Sequence, residues 1–104
     1  MVDAEKHGLV QQQIADALFA SVPSGWLSIR LLLERSGDGA GDFAHEISSP
    51  DGHPPVAPDM SLFDATFALD ELLRREGGIL RRGEIVLEWN DATETWTYRA
   101  EYSY

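Results

Sequence analysis

The last ten residues of this chain alternate between two kinds of side chain, and this alternation constrains the fold more than any other feature. One parity is aromatic with a single alanine, and the other is polar or charged. The first set is Trp96, Tyr98, Ala100, Tyr102 and Tyr104, and the second is Thr95, Thr97, Arg99, Glu101 and Ser103. A period of two is typical of a β-strand with one buried face. Residues 83–90 alternate in the same way before a short turn, so the two segments predict an antiparallel hairpin.

Another hairpin is predicted earlier in the chain. Residues 26–34 place Leu27, Ile29, Leu31 and Leu33 on one face and a mixed set of side chains on the other. Residues 43–49 form a shorter strand, and the glycine-rich stretch 36–42 between them predicts a turn. No lysine follows these glycines at the spacing of a phosphate-binding loop, so a nucleotide site is not expected here.

A helix is predicted before each hairpin. The first covers residues 5–21, with an apolar stripe at helical spacing and a stop at Pro23. The second opens at Ser61 and ends before Gly77, with the i, i+4 ion pairs Asp70–Arg74 and Glu71–Arg75 on it. Its expected buried side is Leu62, Phe63, Thr66, Phe67, Leu69 and Leu73.

The order helix, hairpin, helix, hairpin predicts an α+β fold made of two αββ units. Residues 1–104 are long enough for a single domain with one modest core. Each helix has one apolar stripe and each strand one apolar face. The simplest packing is a four-stranded, mainly antiparallel sheet with two helices on one face and the other face open to water. The order of the strands does not follow from this pattern.

The net charge is strongly negative. Eighteen Asp and Glu face eight Lys and Arg, which gives −10 at pH 7. A negative field attracts a cationic partner, and it also improves solubility, so both interpretations stand. The four arginines at 74, 75, 81 and 82 form a local basic stretch that is more typical of a solvated helix end than of a phosphate site. Direct binding of nucleic acid is not expected, because phosphate contacts require a basic face.

Several other classes of function lack their sequence signals. The chain has no cysteine, which excludes a disulfide framework and fits a cytoplasmic location. No apolar run is long enough to span a membrane, and the N-terminus does not resemble a signal peptide. His7, His45 and His53 lie in separate elements without ligand spacing. No metal, cofactor or catalytic set is therefore predicted, and an enzyme is not expected.

The candidate binding residues lie on the predicted open face of the sheet. Strand parity places five glutamates there, with Trp26 as an apolar anchor: Glu34, Glu46, Glu84, Glu88 and Glu101. They form either an acidic docking face or a solvated face whose Arg and Glu side chains pair across strands. The loop acids Asp38, Asp42, Asp51 and Asp59 compete for the docking role.

Two stretches resemble the YezG-like family of bacterial immunity proteins. Residues 22–29, Val-Pro-Ser-Gly-Trp-Leu-Ser-Ile, are similar to the family's signature after its first helix, and residues 96–104 are similar to its last hairpin, which closes on a Tyr-x-Tyr pair. The resemblance implies a non-enzymatic antitoxin that neutralises a secreted toxin, often a nuclease, by stoichiometric binding. An acidic inhibitor would suit the basic substrate-binding surface of a nuclease.

A different class of protein is also consistent with a small, acidic α/β chain. A secretion chaperone masks an extended segment of an effector and is expected to dimerise on its own. An immunity protein is expected to bind a folded toxin domain. The oligomeric state is not predicted from the sequence.

Overall fold

The computed structural model describes residues 4–104. The helices are α1, Ala4–Ser21, and α2, Met60–Arg75. The strands are β1, Ser28–Arg35, β2, Phe43–Ser48, β3, Arg82–Asn90, and β4, Thr95–Ser103. The predicted order of helix, hairpin, helix, hairpin is confirmed.

The four strands form one antiparallel sheet in the order β2-β1-β3-β4. The first strand of each αββ unit lies in the centre, and the second strand of each unit forms an edge. Leu31 at the centre is opposite Ile47 on one side and Ile85 on the other. The predicted α+β class and the four-stranded antiparallel sheet are therefore confirmed.

Both helices pack on the same face of this sheet. Ile14 and Leu18 of α1 and Leu69 of α2 join the inward residues of the central strands in one hydrophobic cluster. Ile29, Leu31, Leu33 and Ile85 are fully buried there. Removal of this apolar surface from water is the main stabilising contribution to a domain of this size.

The predicted buried side of α2 is partly wrong. Phe63 and Phe67 keep 47% and 44% of their surface exposed, whereas Asp70 is fully buried. The helix is rotated because Asp70 turns inward to meet Arg35 of β1. The helix also begins earlier than predicted, because Asp59, not Ser61, is its N-cap and accepts a hydrogen bond from the Ser61 N–H.

A buried ion pair joins α2, β1 and the glycine-rich turn. Arg35 Nη2 donates to both carboxylate oxygens of Asp70 at 2.8 and 2.9 Å. The Gly41 N–H donates to the same carboxylate at 2.8 Å. Arg35 Nε donates to the carbonyl of Leu80 at 2.7 Å. Arg74, the predicted partner of Asp70, lies at the longer distance of 3.5 Å, so the main partner of Asp70 comes from the sheet.

The parity predicted for the start of the first hairpin is wrong. Trp26 was expected on the open face but is only 5% exposed, while Leu27 is 54% exposed. The strand begins at Ser28, so its alternation does not extend back to these residues. The proline-containing loop folds over Trp26, and His53 stacks on the indole at 5.4 Å. Trp26 is a core residue and does not form an exposed anchor.

Candidate functional site

The five predicted glutamates share the open face of the sheet. The register places Glu34, Glu84 and Glu88 on the side opposite to the buried Leu33, Ile85 and Leu87, and Glu46 and Glu101 on the same side of the edge strands. Glu34, Glu46, Glu88 and Glu101 are exposed, and Glu84 is half-buried. The sequence prediction of their placement is therefore correct, and only Trp26 is missing from this face.

Three of these glutamates lie in one row across the sheet. Glu46 is opposite Leu32, Leu32 is opposite Glu84, and Glu84 is opposite Glu101. Like charges directly opposite each other in a sheet are destabilising. The pair Glu84–Glu101 is thus locally destabilising, and the ion pair of Glu84 with Arg30 offsets part of the repulsion.

Arginines on the same face neutralise part of this charge. Arg30 donates to Glu84 at 2.9 Å, Arg99 donates to Glu88 at 2.6 Å, and Arg82 is opposite Glu34 in the register. Two open depressions, of about 310 and 480 Å³, lie on this face and share Glu84, Val86 and Arg99. The open face is therefore mixed in charge, as expected for a solvated sheet surface with cross-strand pairs.

A second surface combines exposed apolar side chains with acids, and we call it the α2 flank. It consists of Met60, Phe63, Asp64 and Phe67 of α2. Met60 is 82% exposed, more than either phenylalanine. Positions i, i+3, i+4 and i+7 lie on one side of a helix, so these four residues form a continuous stripe. Aromatic residues and methionine are enriched in the buried centres of protein interfaces.

The glycine-rich turn and β2 border the α2 flank. Gly41, at φ +76°, lies so close to Phe67 that a Cβ atom there would meet the ring at 2.9 Å. His45 of β2 contacts the Phe63 ring edge-on at 4.8 Å. The turn and the strand thus hold the two exposed rings in place, and Asp42 of the turn is also exposed.

The segment of the chain that carries the α2 flank is acidic. Residues 36–73 contain eight Asp and Glu and no Lys or Arg. Of these acids, Asp70 is the one paired with Arg35 in the interior. Asp59 lies at the N-terminus of α2, and hydrogen bonds from Ser61 lower the pKa of its carboxyl, so this group is ionised at neutral pH. The flank is thus an apolar stripe on an acidic segment of the chain.

His45 is the histidine nearest to this surface. Its Nδ1 lies 3.1 Å from the carbonyl of Phe43, and its Nε2 lies 2.8 Å from the Thr66 hydroxyl. The Thr66 hydroxyl also lies 3.1 Å from the Leu62 carbonyl and 3.2 Å from the Phe63 carbonyl. A neutral ring satisfies both of its contacts when Nδ1–H donates to the Phe43 carbonyl and the hydroxyl directs its single proton to Nε2. Burial lowers the pKa of His45, and the hydrogen bond to Phe43 opposes that shift. The ring is therefore neutral at physiological pH and supports Phe63.

The other histidines have separate partners. His7 pairs with Glu76 at 2.8 Å and links the start of α1 to the end of α2. His53 lies on Trp26. Within residues 4–104, no three His, Asp or Glu side chains come together in a way that could hold a metal ion. Over the same residues, neither helix is long and apolar enough to cross a membrane.

Sequence reasoning missed the α2 flank because it assigned Phe63 and Phe67 to the core. A signal for it is nevertheless present, since residues 36–73, with eight Asp and Glu and no Lys or Arg, contain Met60 and both phenylalanines. Comparisons with protein-family models, with curated proteins and with solved structures gave no significant match. The function must therefore be inferred from the chain's own surfaces.

Proposed function

We propose that this chain is an immunity protein that neutralises a basic toxin domain by stoichiometric binding through the α2 flank. One observation carries the proposal: exposed Met60, Phe63 and Phe67 lie on a segment, residues 36–73, that has eight Asp and Glu and no Lys or Arg. Apolar anchors inside a charged rim are the usual composition of a protein–protein interface.

The charge of the whole chain supports a cationic partner. A net charge of −10 on 104 residues produces a field that accelerates encounter with a basic surface. The substrate-binding surface of a nuclease is basic, since it must hold phosphates, so a nuclease toxin fits this inhibitor. Inhibition by binding requires no catalytic group on the inhibitor.

The direct test coexpresses the chain in a bacterial host with a basic nuclease toxin domain, taken from a reading frame next to its own gene where one is found. We expect growth arrest by the toxin alone, growth in the presence of the chain, and a one-to-one complex by calorimetry. Continued growth arrest together with no complex would reject the proposal.

Three charge reversals locate the contact. Asp64→Lys on the α2 flank should weaken toxin binding at least about tenfold, because a like-charge contact at an interface costs several kcal/mol. Asp16→Lys makes the same change at an exposed position of α1 and should alter toxin binding less than about twofold. Glu46→Lys tests the open face. Weaker toxin binding with Glu46→Lys but not with Asp64→Lys would place the binding site on the open face and not on the α2 flank.

Met60→Ala tests the apolar contribution separately. Met60 is 82% exposed, so its truncation should leave the melting temperature almost unchanged. Weaker toxin binding with unchanged melting would assign the effect to the interface.

The alternative, an acidic secretion chaperone, is favoured by one observation. Among residues 4–104, no strand pairs with the outer edge of β4, and an extended effector segment can add to such an edge. A chaperone binds the unfolded segment and an immunity protein binds the folded domain. Titration with the folded and the denatured toxin therefore separates the two functions.

A further inference from the structure

The two edges of the sheet differ in how they are covered. Ile47 of β2 forms a bridge with Val56, so the loop after β2 covers part of that edge. β4 pairs with β3 over nine consecutive residues without a bulge, and its other side has no partner strand among residues 4–104. The strand contains neither proline nor lysine, which are common devices that prevent edge pairing. The β4 edge is thus open to another strand.

The backbone N–H and C=O groups that point out of this edge belong to the even-numbered residues of β4. Trp89 N–H donates to the carbonyl of Leu27 on the β1 side, and successive residues of a strand point these groups to opposite neighbours. Glu84 and Val86 therefore direct their backbone N–H and C=O groups to β4, where Glu84 pairs with Glu101 and Val86 pairs with Arg99. This leaves the N–H and C=O of Tyr98, Ala100 and Tyr102 directed outward.

The side chains of β4 are complementary to themselves. Its only charged residues are Arg99 and Glu101, of opposite sign and two positions apart. If a second β4 runs antiparallel with Ala100 opposite Ala100, Arg99 of each copy lies opposite Glu101 of the other. Ala100 is then a hydrogen-bonded pair, which is the type its outward backbone groups require.

We propose that two copies of this chain associate through β4, with a two-fold axis at Ala100, and form a continuous eight-stranded sheet. The same register places Tyr98 of one copy opposite Tyr102 of the other on the helix side. Both rings are half-buried in one copy, and Ala100 between them is exposed and small. Cross-strand aromatic pairs and opposite charges both stabilise such a contact.

Neighbouring registers are less favourable. An axis at Arg99 or at Glu101 keeps the backbone hydrogen bonds of the even-numbered residues but places like charges directly opposite each other. An axis at Tyr98 would place Arg99 opposite Thr97, and an axis at Tyr102 would place Glu101 opposite Ser103. The charge pattern therefore selects Ala100.

Sedimentation velocity of the whole chain over a range of concentrations tests this. We expect the parent to dimerise with a dissociation constant below about 1 mM. Arg99→Glu would set two acids against each other at both symmetric contacts, and Glu101→Arg would set two bases against each other. Each variant alone should dimerise at least about tenfold more weakly, and an equimolar mixture of the two should recover the dimer because every contact is then of opposite sign.

The controls separate register from net charge. Glu101→Arg makes the chain less negative, so general repulsion alone would predict tighter association, whereas the register predicts weaker association. Glu46→Arg makes the same change on β2 and should not weaken the dimer. Ala100→Pro removes an outward N–H and leaves the ladder to β3 intact, so a folded monomer is expected. Circular dichroism verifies the fold of each variant.

Three results would overturn the inference. They are a parent that stays monomeric at about 1 mM, single charge variants that dimerise as tightly as the parent, or a mixture that stays monomeric. Capture of the extended effector segment by a monomeric parent, abolished by Ala100→Pro, would assign the edge to the chaperone function instead. The inference does not depend on toxin binding at the α2 flank, and its variants leave that flank unchanged.

Discussion

Replacement of Asp70 by asparagine should remove a large part of the stability of this domain. Asp70 is fully buried and the side chain of Arg35 is 6% exposed. Asp70→Asn keeps the volume of the side chain and removes its charge, so the guanidinium of Arg35 stays buried without a counterion. Loss of one partner of a buried ion pair costs about 3–5 kcal/mol.

This cost is large relative to the total. A domain of this kind has a free energy of unfolding of about 5–15 kcal/mol. A loss of 1 kcal/mol lowers the melting temperature of a domain of about this size by about 4–8 °C. We therefore expect Asp70→Asn to melt at least about 12 °C below the parent. Arg35 would keep its hydrogen bonds to the carbonyls of Leu80, Gly37 and Gly39, so the native fold should persist below the transition.

Urea unfolding followed by tryptophan fluorescence measures the loss. The midpoint should fall while the dependence on urea stays constant, since the area exposed on unfolding does not change. Asp64→Asn makes the same chemical change at an exposed position of the same helix and should stay within about 0.5 kcal/mol of the parent. A loss below about 1 kcal/mol for Asp70→Asn would show that the pair is hydrated or dispensable, and the reasoning from burial would fail.

The remaining predictions concern His45, the glutamate row and the encounter with the toxin. Burial lowers the pKa of His45 below its usual 6.5, so the unfolded chain binds a proton at this residue more readily than the folded chain does. The contribution of His45 to the free energy of unfolding should therefore be complete above pH 6.5 and should be lost as the pH decreases through the lowered pKa. Unfolding measured at several pH values should show this slope, and His45→Gln should reduce it. Glu101→Gln should stabilise the monomer by about 0.2–1 kcal/mol, because it removes the repulsion with Glu84; thermal unfolding at low protein concentration measures this, and a destabilised variant would contradict the row of like charges. The association rate with the toxin should fall as salt rises, since the Debye length is about 8 Å at physiological ionic strength; a stopped-flow rate that does not change with salt would exclude steering.

The sequence determined the elements of this protein and the faces of its strands. Alternation with period two is a local property, so Glu84, Glu88 and Glu101 could be placed on the open face without knowledge of the strand order. The two hairpins followed from the short turns, and the helix stops from Pro23 and Gly77. These signals depend on neighbours within a few positions, and the fold class followed from their order.

The tertiary structure decided what depends on contacts between distant segments. The strand order brings Arg35 to Asp70, and this pair turns α2 so that Phe63 and Phe67 face water. The loop that covers Trp26 lies more than twenty residues away along the chain, so no local sequence pattern predicts that Trp26 is buried. Exposure of an aromatic side chain is a property of what packs against it. For that reason the α2 flank and the open edge of β4, on which both proposals depend, became visible only once the elements were assembled.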